Sequence, residues 1–357
     1  MAEEQDDLTE LSGVGPATAE KLREAGFKTY EKIAASSPGE LSSHGGLGDD
    51  TANKAIGDAR ELLDMGGFQT GTEKLQEMGD IETISLIADS DSTPEDPNIV
   101  DALLGRGIET NCITEIHGEF GAGKSQMTHQ LCVNVQLAEE YGGMRRGSMF
   151  IDTEDTFRPE RIDDMVRGLD DEILENELEH RGIEGGVDDE EALTNLVESF
   201  LDNIHTAKAY NSNHQIALAD KNAMQLADDL SEDPNSMNIG LVVVDSLTAH
   251  FRAEYVGRGT LAKRQQLLSG HLNDLDKLSD VHNCAVVYTN QVTANPDAFF
   301  GKKSKPIGGN ILAHKARFRI EVKKAGGEDR ICHLMNSPHR PDGEAPFKVT
   351  GDGVVLK

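Results

Sequence analysis

The sequence predicts an α/β chain with a mostly parallel sheet, preceded by a small all-helical domain. Three observations carry this expectation. Residues 118–125 read Gly-Glu-Phe-Gly-Ala-Gly-Lys-Ser, the G-x-x-x-x-G-K-[S/T] phosphate loop, where a strand hands over to a helix. Nearly continuous apolar runs, such as Leu241-Val242-Val243-Val244 and Cys284-Ala285-Val286-Val287-Tyr288, alternate with helical patterns, as buried parallel strands do. Residues 8–67 instead carry glycine-punctuated turns leading into amphipathic helices.

Residues 1–66 are the helical domain. The hairpin Gly13-Val14-Gly15-Pro16-Ala17 exposes backbone N–H groups at a helix start, which suits a DNA phosphate. A weaker echo at residues 46–55 makes the pair look like a tandem helix-hairpin-helix. A protein–protein module uses the same helices, and Asp49 and Asp50 repel phosphate, so that reading stays open. Residues 67–100 read as a linker: Gly66-Gly67, a short helical piece at 73–76, then a polar, proline-bearing stretch at 89–97.

The core is expected over residues 101–357. Strands are predicted at 111–116, 147–152, 238–245, 283–290, 316–323 and 329–334. Helices are predicted at 124–141, 158–169, 190–207, 211–230, 258–280 and 310–314. The acidic runs in 163–198, including Asp188-Asp189-Glu190-Glu191, read as solvated surface.

The chemistry follows the strand ends. Gly118, Gly121 and Gly123 let successive N–H groups cradle phosphate oxygens, with Glu119, Phe120, Ala122 and Gln126 completing the loop and helix start. Lys124 supplies a point charge at the terminal phosphates, and the Ser125 hydroxyl suits Mg²⁺. Asp245 closes an apolar strand and is a second Mg²⁺ ligand, held through water. Glu154 lies just past the strand ending at Asp152 and is placed to activate an attacking water; capping the helix near Pro159 is the plainer role for it. Gln291 follows a third strand as a candidate γ-phosphate contact. It leads into a loop, 292–307, without regular pattern and long enough to suggest function.

Composition bounds the rest. No run approaches the roughly 18 apolar residues of a membrane span, and Met1-Ala2-Glu3-Glu4 has no secretory character. Cys112, Cys132, Cys284 and Cys332 are widely spaced, as reduced cytosolic cysteines rather than metal ligands. The net charge of −30, from 64 acids against 34 bases, implies an acidic surface and a high-salt cytoplasm. Against that background Lys302, Lys303, Lys305, Lys315, Arg317, Arg319, Lys323 and Lys324 stand with one acid, Glu321, between residues 302 and 324. This concentrated block reads as a phosphate-binding surface.

Ordered motifs over nearly the whole chain resemble the archaeal RadA recombinases, of the RecA-like strand-exchange family, and most closely the haloarchaeal forms. They are 118–126, Ile151-Asp152-Thr153-Glu154 into Thr156-Phe157-Arg158-Pro159-Glu160-Arg161, Asp245-Ser246-Leu247-Thr248, 251–259, Thr289-Asn290-Gln291-Val292 and Pro306-Ile307-Gly308-Gly309-Asn310. The resemblance implies a RecA-like ATPase core that uses ATP and Mg²⁺. Its partners would be single- and double-stranded DNA, further copies of itself in a helical filament or ring, and recombination mediators. It further implies that Arg161 lies against adenine and that Pro306 covers the ATP of a neighbouring subunit. Arg252 and Arg258 fall in the first DNA loop, and Lys302, Lys303 and Lys305 in the second. Phe68, with Gly71 after it, matches a linker motif that plugs into the next protomer; a core aromatic of the small domain is the alternative. A nucleoid-associated cytoplasmic protein is expected.

The polar stretch 89–97, Arg106 at a position commonly glycine, and the lysine-rich second loop depart from that pattern and suggest a divergent paralogue or a mobile-element copy. A RecA-core helicase-like motor and a non-hydrolysing ATP-binding mediator are the rival functions. The linker motif and two DNA loops favour a recombinase over the motor, and Lys124, Glu154, Asp245 and Gln291 favour an enzyme over the mediator.

Overall fold

Strand-end chemistry demands a sheet that brings several carboxyl ends together, and the computed structural model has one. It describes residues 6–43, 45–63, 65, 67, 68, 70–93, 96–294 and 304–357. The chain divides into two compact units, Met1–Asp80 and Ile81–Lys357.

In the first unit the helices Pro16–Glu24, Tyr30–Ala35, Pro38–Ser43 and Asp49–Leu62 close on a core that includes Leu11, Leu22, Ile33, Leu41 and Ile56. The two hairpins repeat one another. Gly15 and Gly48 are extended N-caps whose carbonyls accept from Thr18 and Ala19, and from Thr51 and Ala52. Gly13 has φ +82°, and a Cβ there would lie 2.7 Å from Thr51 Cγ2, so the first hairpin needs glycine at this place.

The linker expected over 67–100 does not stand as one piece. Residues 71–77 form a helix capped reciprocally by Thr70 and Glu73. Past the boundary, β1 (Thr83–Ile84) pairs antiparallel with β2 (Ile108–Glu109), and Ile84, Leu86 and Ile87 are buried in the core of the second unit. Burial of these apolar side chains stabilises the start of the second unit ahead of the polar stretch.

The remaining strands are β3 (Cys112–Gly118), β4 (Gly147–Asp152), β5 (Ile204–Lys208), β6 (Ile239–Asp245), β7 (Ala285–Ala294), β8 (Ser304–Pro306), β9 (Phe318–Gly326), β10 (Asp329–Asn336), β11 (Gly343–Val349) and β12 (Val354–Leu356). The main sheet has the order β12-β11-β10-β9-β3-β7-β6-β4-β5. From β9 to β5 all neighbours are parallel, and β9 to β12 form an antiparallel meander. Alternation explains the continuous apolar runs. Leu241 and Val243 enter one hydrophobic cluster and Val242 and Val244 the other, so β6 is buried on both faces.

Three helices differ from expectation. The helix over 190–207 ends at Asp202, and Ile204–Lys208 becomes the edge strand β5, whose short, half-polar sequence resembles a helix tail. The helix over 211–230 is interrupted by a π turn at Leu218–Asn222. The helix over 124–141 stops at Asn134, and a 3₁₀ turn forms at Glu139–Tyr141. Within the acidic run, Glu177 is fully buried and paired with Arg145 (2.5 Å) and Arg181 (3.1 Å), so it is structural and not solvated.

One ion pair ties the sheet's centre together. Glu115 on β3 faces Arg319 on β9 in register, with Arg319 Nε 2.5 Å from Oε2 and Asn290 Nδ2 donating to Oε1 at 2.8 Å. Glu115 is fully buried. Arg319→Ala strands that carboxylate and is expected to cost about 3–5 kcal/mol. Urea unfolding of the two proteins checks this, and a loss under about 1 kcal/mol, typical of an exposed pair, would contradict it.

Candidate functional site

Register delivers the site. Gly118 at the end of β3 pairs with Gln291 on β7, and Asp152 at the end of β4 pairs with Asp245 at the end of β6. The phosphate loop, both strand-end carboxylates and Gln291 therefore share one edge of the sheet, where open α/β sheets bind ligands.

The loop has the shape its glycines predict. Gly121 and Gly123 take positive φ, +69° and +109°, and a Cβ on Gly118 would lie 2.4 Å from the Val322 carbonyl. Gly123 is the N-cap of the helix Lys124–Asn134 and places no side chain over the N–H groups that begin it. Phe120 is exposed, whereas Ala122 is buried. Lys124 Nζ donates to the carbonyls of Gly118 (3.1 Å) and Glu119 (3.0 Å). Burial lowers the pKa of Lys124, while Asp245 and Glu154 oppose that shift.

Around the carboxylates runs one hydrogen-bonded chain. Thr289 and Thr156 donate their hydroxyls to the two oxygens of Asp245, fixing its orientation. Asp152 accepts from the backbone N–H groups of Glu154 (3.1 Å), Thr156 (3.1 Å) and Phe157 (2.9 Å), so it shapes the turn that carries Glu154. Ser246 Oγ donates to Glu154 Oε1 at 2.6 Å, and Gln291 Nε2 donates to the same carboxylate at 3.1 Å. Arg252 Nη1 then donates to Gln291 Oε1 at 3.2 Å. Glu154 does not cap the following helix, because Arg158 is its N-cap and Pro159 its first residue.

Sequence reasoning passed over His129. It is buried, accepts at Nε2 from the Arg158 N–H (3.2 Å), and therefore donates from Nδ1 to the Ser125 carbonyl (2.5 Å). Its ring stacks on Phe157 at 5.2 Å, and burial lowers its pKa. The imidazole thus bolts the Glu154 turn to the phosphate-loop helix. Only a buried histidine one helical turn past Ser125 could have signalled this.

Arg161 donates to Gln126 Oε1 (2.6 Å), to the Thr350 carbonyl (2.8 Å) and to the Gly351 carbonyl, which places it at the loop helix but also on the β11–β12 turn. The loop expected over 292–307 has an ordered stem, since β7 continues to Ala294 and pairs antiparallel with β8, Val292 opposite Pro306. Ile307 N–H donates to the Gln291 carbonyl, so Gln291 closes this stem as well. Lys302 and Lys303 lie outside the described residues. Lys305, Pro306 and Arg258 are placed in backbone only.

The basic block resolves into separate duties. Lys315 pairs with Asp276 (2.5 Å), Arg319 with Glu115 and Lys323 with Glu344 (2.5 Å). Three of the eight cations in that block are therefore neutralised by carboxylates from other elements, which local counting of acids missed. Phe68 is wholly exposed and lies outside the small unit's hydrophobic cluster, so it is not a core aromatic of that unit; Gly71 opens the helix after it. All four cysteines are free and buried, and burial pushes their thiols up to about 12.

Among the described residues no cluster of three or more His, Cys, Asp or Glu side chains would hold a metal alone. Mg²⁺ needs only one or two carboxylates when phosphate oxygens complete its shell, and the oxygen donors Asp245 and Ser125 fit that requirement.

His129→Phe retains the stack and removes both hydrogen bonds. A loss of about 1–3 kcal/mol in urea unfolding is expected. An unchanged midpoint would mean that the two bonds do not hold the turn.

With that geometry in view, comparison with known proteins is specific. The family model described as Rad51 matches residues 95–184 and 190–356, and the model of a SAM-like helix-hairpin-helix tandem matches 6–61. Proteins named "DNA repair and recombination protein RadA" from Halobacterium salinarum and Haloferax volcanii are each 53% identical over 350 residues, covering 98% of both chains. The protein of that name from Methanoculleus marisnigri is 45% identical over 348 residues, again with 98% of both chains covered. A family model matching most of the chain, and relatives this similar from end to end, show that the chain belongs to the Rad51 family, with a helix-hairpin-helix domain joined to a RecA-like core.

Proposed function

We propose that this chain is an ATP-dependent recombinase that assembles on single-stranded DNA and exchanges homologous strands. The observation that carries the reading is the chain Ser246–Glu154–Gln291–Arg252, which joins the carboxylate beside the phosphate loop to a cation of the first DNA loop. Nucleotide chemistry and DNA contact share one set of hydrogen bonds.

The backbone N–H groups of 118–125 and the Lys124 ammonium bind the phosphates of ATP, and Gln126 and Arg161 border the base. Mg²⁺, held by Ser125 and through water by Asp245, would neutralise charge developing on the terminal phosphates. Glu154 orients and polarises the attacking water. Gln291, shared between Glu154 and the stem of the second loop, reports the terminal phosphate to that loop. Arg252 and Arg258 of the first loop, with Lys302, Lys303 and Lys305 of the second, contact DNA phosphates, and Gly13 and Gly15 supply a further hairpin contact.

Exposed Phe68, followed by Gly71, supports docking between copies of the chain, because an apolar ring gains by leaving water. Pro306 then covers the ATP of the neighbour. The net charge of −30 supports a cytoplasm of high salt, where screening relieves self-repulsion. Among the described residues no helix is long and apolar enough to cross a membrane.

Glu154→Gln tests the reading. Slowing of ATP hydrolysis by at least about 10²-fold is expected, with ATP and DNA binding retained. Strand exchange between homologous duplexes, assayed at molar KCl, should be present for the parent protein and absent with heterologous duplexes. Normal turnover by Glu154→Gln would remove Glu154 from the chemistry, and no homology-dependent exchange by the parent would overturn the proposed function.

A further inference from the structure

The antiparallel hairpin formed by β9 and β10 overhangs the phosphate loop. Because β9 runs parallel beside β3, with Val322 opposite Gly118, the residues after Val322 pass along the loop's outer side. The Val322 carbonyl occupies the space a Gly118 side chain would need. Two residues on, the exposed Lys324 brings Nζ to 3.0 Å from the point where a Cβ on Gly121 would stand. Directly across the hairpin, Arg330 pairs in register with Lys324 and donates Nε to the Ala122 carbonyl at 2.9 Å. Arg330 Nη1 donates to the carbonyls of Gly327 and Asp329.

These two cations play different parts. Arg330 spends its donors on backbone carbonyls and pins the hairpin to the loop. Lys324 meets no carboxylate among the described residues, although the chain has 64 acids and only 34 bases, and although Lys315, Arg319 and Lys323 each pair with one. Like charges set opposite across a strand pair are unfavourable, and the charge of Lys324 adds to the burial that lowers the proton affinity of Lys124. An anion on the loop turns this repulsion into attraction. A solubilising role does not account for a lysine here, since the acids already supply solubility.

We propose that Lys324 is a second cation for the nucleotide phosphates, reaching them from the β9–β10 hairpin. The inference rests on ATP binding at residues 118–125 and adds a contact to that site. Exposure makes it a steering and affinity contact that is screened by salt, unlike buried Lys124.

Isothermal titration of the full chain with ATP, ADP and adenosine, at two KCl concentrations with Mg²⁺, tests it. The proteins are the parent, Lys324→Ala, Lys324→Arg and Lys124→Ala. Lys324→Ala should bind ATP about 10-fold more weakly, the low end for a charge-assisted contact. The deficit should shrink at the higher salt, Lys324→Arg should recover most of it, and adenosine should be unaffected. Single-stranded DNA affinity without nucleotide should also be unchanged. Parental ATP affinity in Lys324→Ala, beside its loss in Lys124→Ala, overturns the inference and leaves the site reading intact. A deficit shared by adenosine, one that Lys324→Arg does not recover, or one seen with DNA and not ATP also overturns it. Failure of the parent to bind ATP would overturn the site reading itself.

Discussion

The contact between Gln291 and Glu154 is the interaction on which the arrangement turns. A glutamine on β7 reaches a glutamate just past β4 only because β7 lies beside β3 and β6, and β6 beside β4. A one-residue slip in a parallel register would turn Gln291 to the other face of the sheet. The buried Glu115, bonded at once to Arg319 on β9 and to Asn290 beside Gln291, resists such a slip from within. Asn290 also donates to the Ile307 carbonyl and accepts from the Thr248 hydroxyl, so the stem of the second loop and the base of the first are fixed from one side chain. A polar network this deep is tolerable because its members satisfy one another.

Positions set by short-range pattern were legible in the sequence. The phosphate loop, Asp245 and the strands Gly147–Asp152 and Ile239–Asp245 announce themselves by glycine spacing and apolar runs. Edge strand β5 did not, since one solvated face removes the apolar run that marks a buried strand. The partners of the basic block were also hidden. Asp276, Glu344 and Glu115 lie far away in sequence, and only the fold brings them to Lys315, Lys323 and Arg319. Of the C-terminal meander the sequence marked only the basic block ending at Lys324, yet Thr350 and Gly351, through Arg161, and Arg330 also border the nucleotide loop.

Charge distribution gives these details their consequence. In a chain so acidic, a cation held against a carboxylate is a structural device, and a cation without one is available to a phosphate. Arg252, directed at Gln291, belongs to neither class alone: in the proposed function it offers charge to DNA while its donor bond rests on the residue proposed to read the nucleotide. Binding of DNA by Arg252 would pull on that bond, and so on Glu154, without any large movement of the sheet.

The most direct measurement of this account is ATP turnover by Gln291→Ala with and without single-stranded DNA. If Gln291 is the link, DNA no longer accelerates turnover, and the ratio of the two rates falls to near one while turnover without DNA persists. A ratio equal to that of the parent protein would show that DNA reaches Glu154 by another route and would contradict the account.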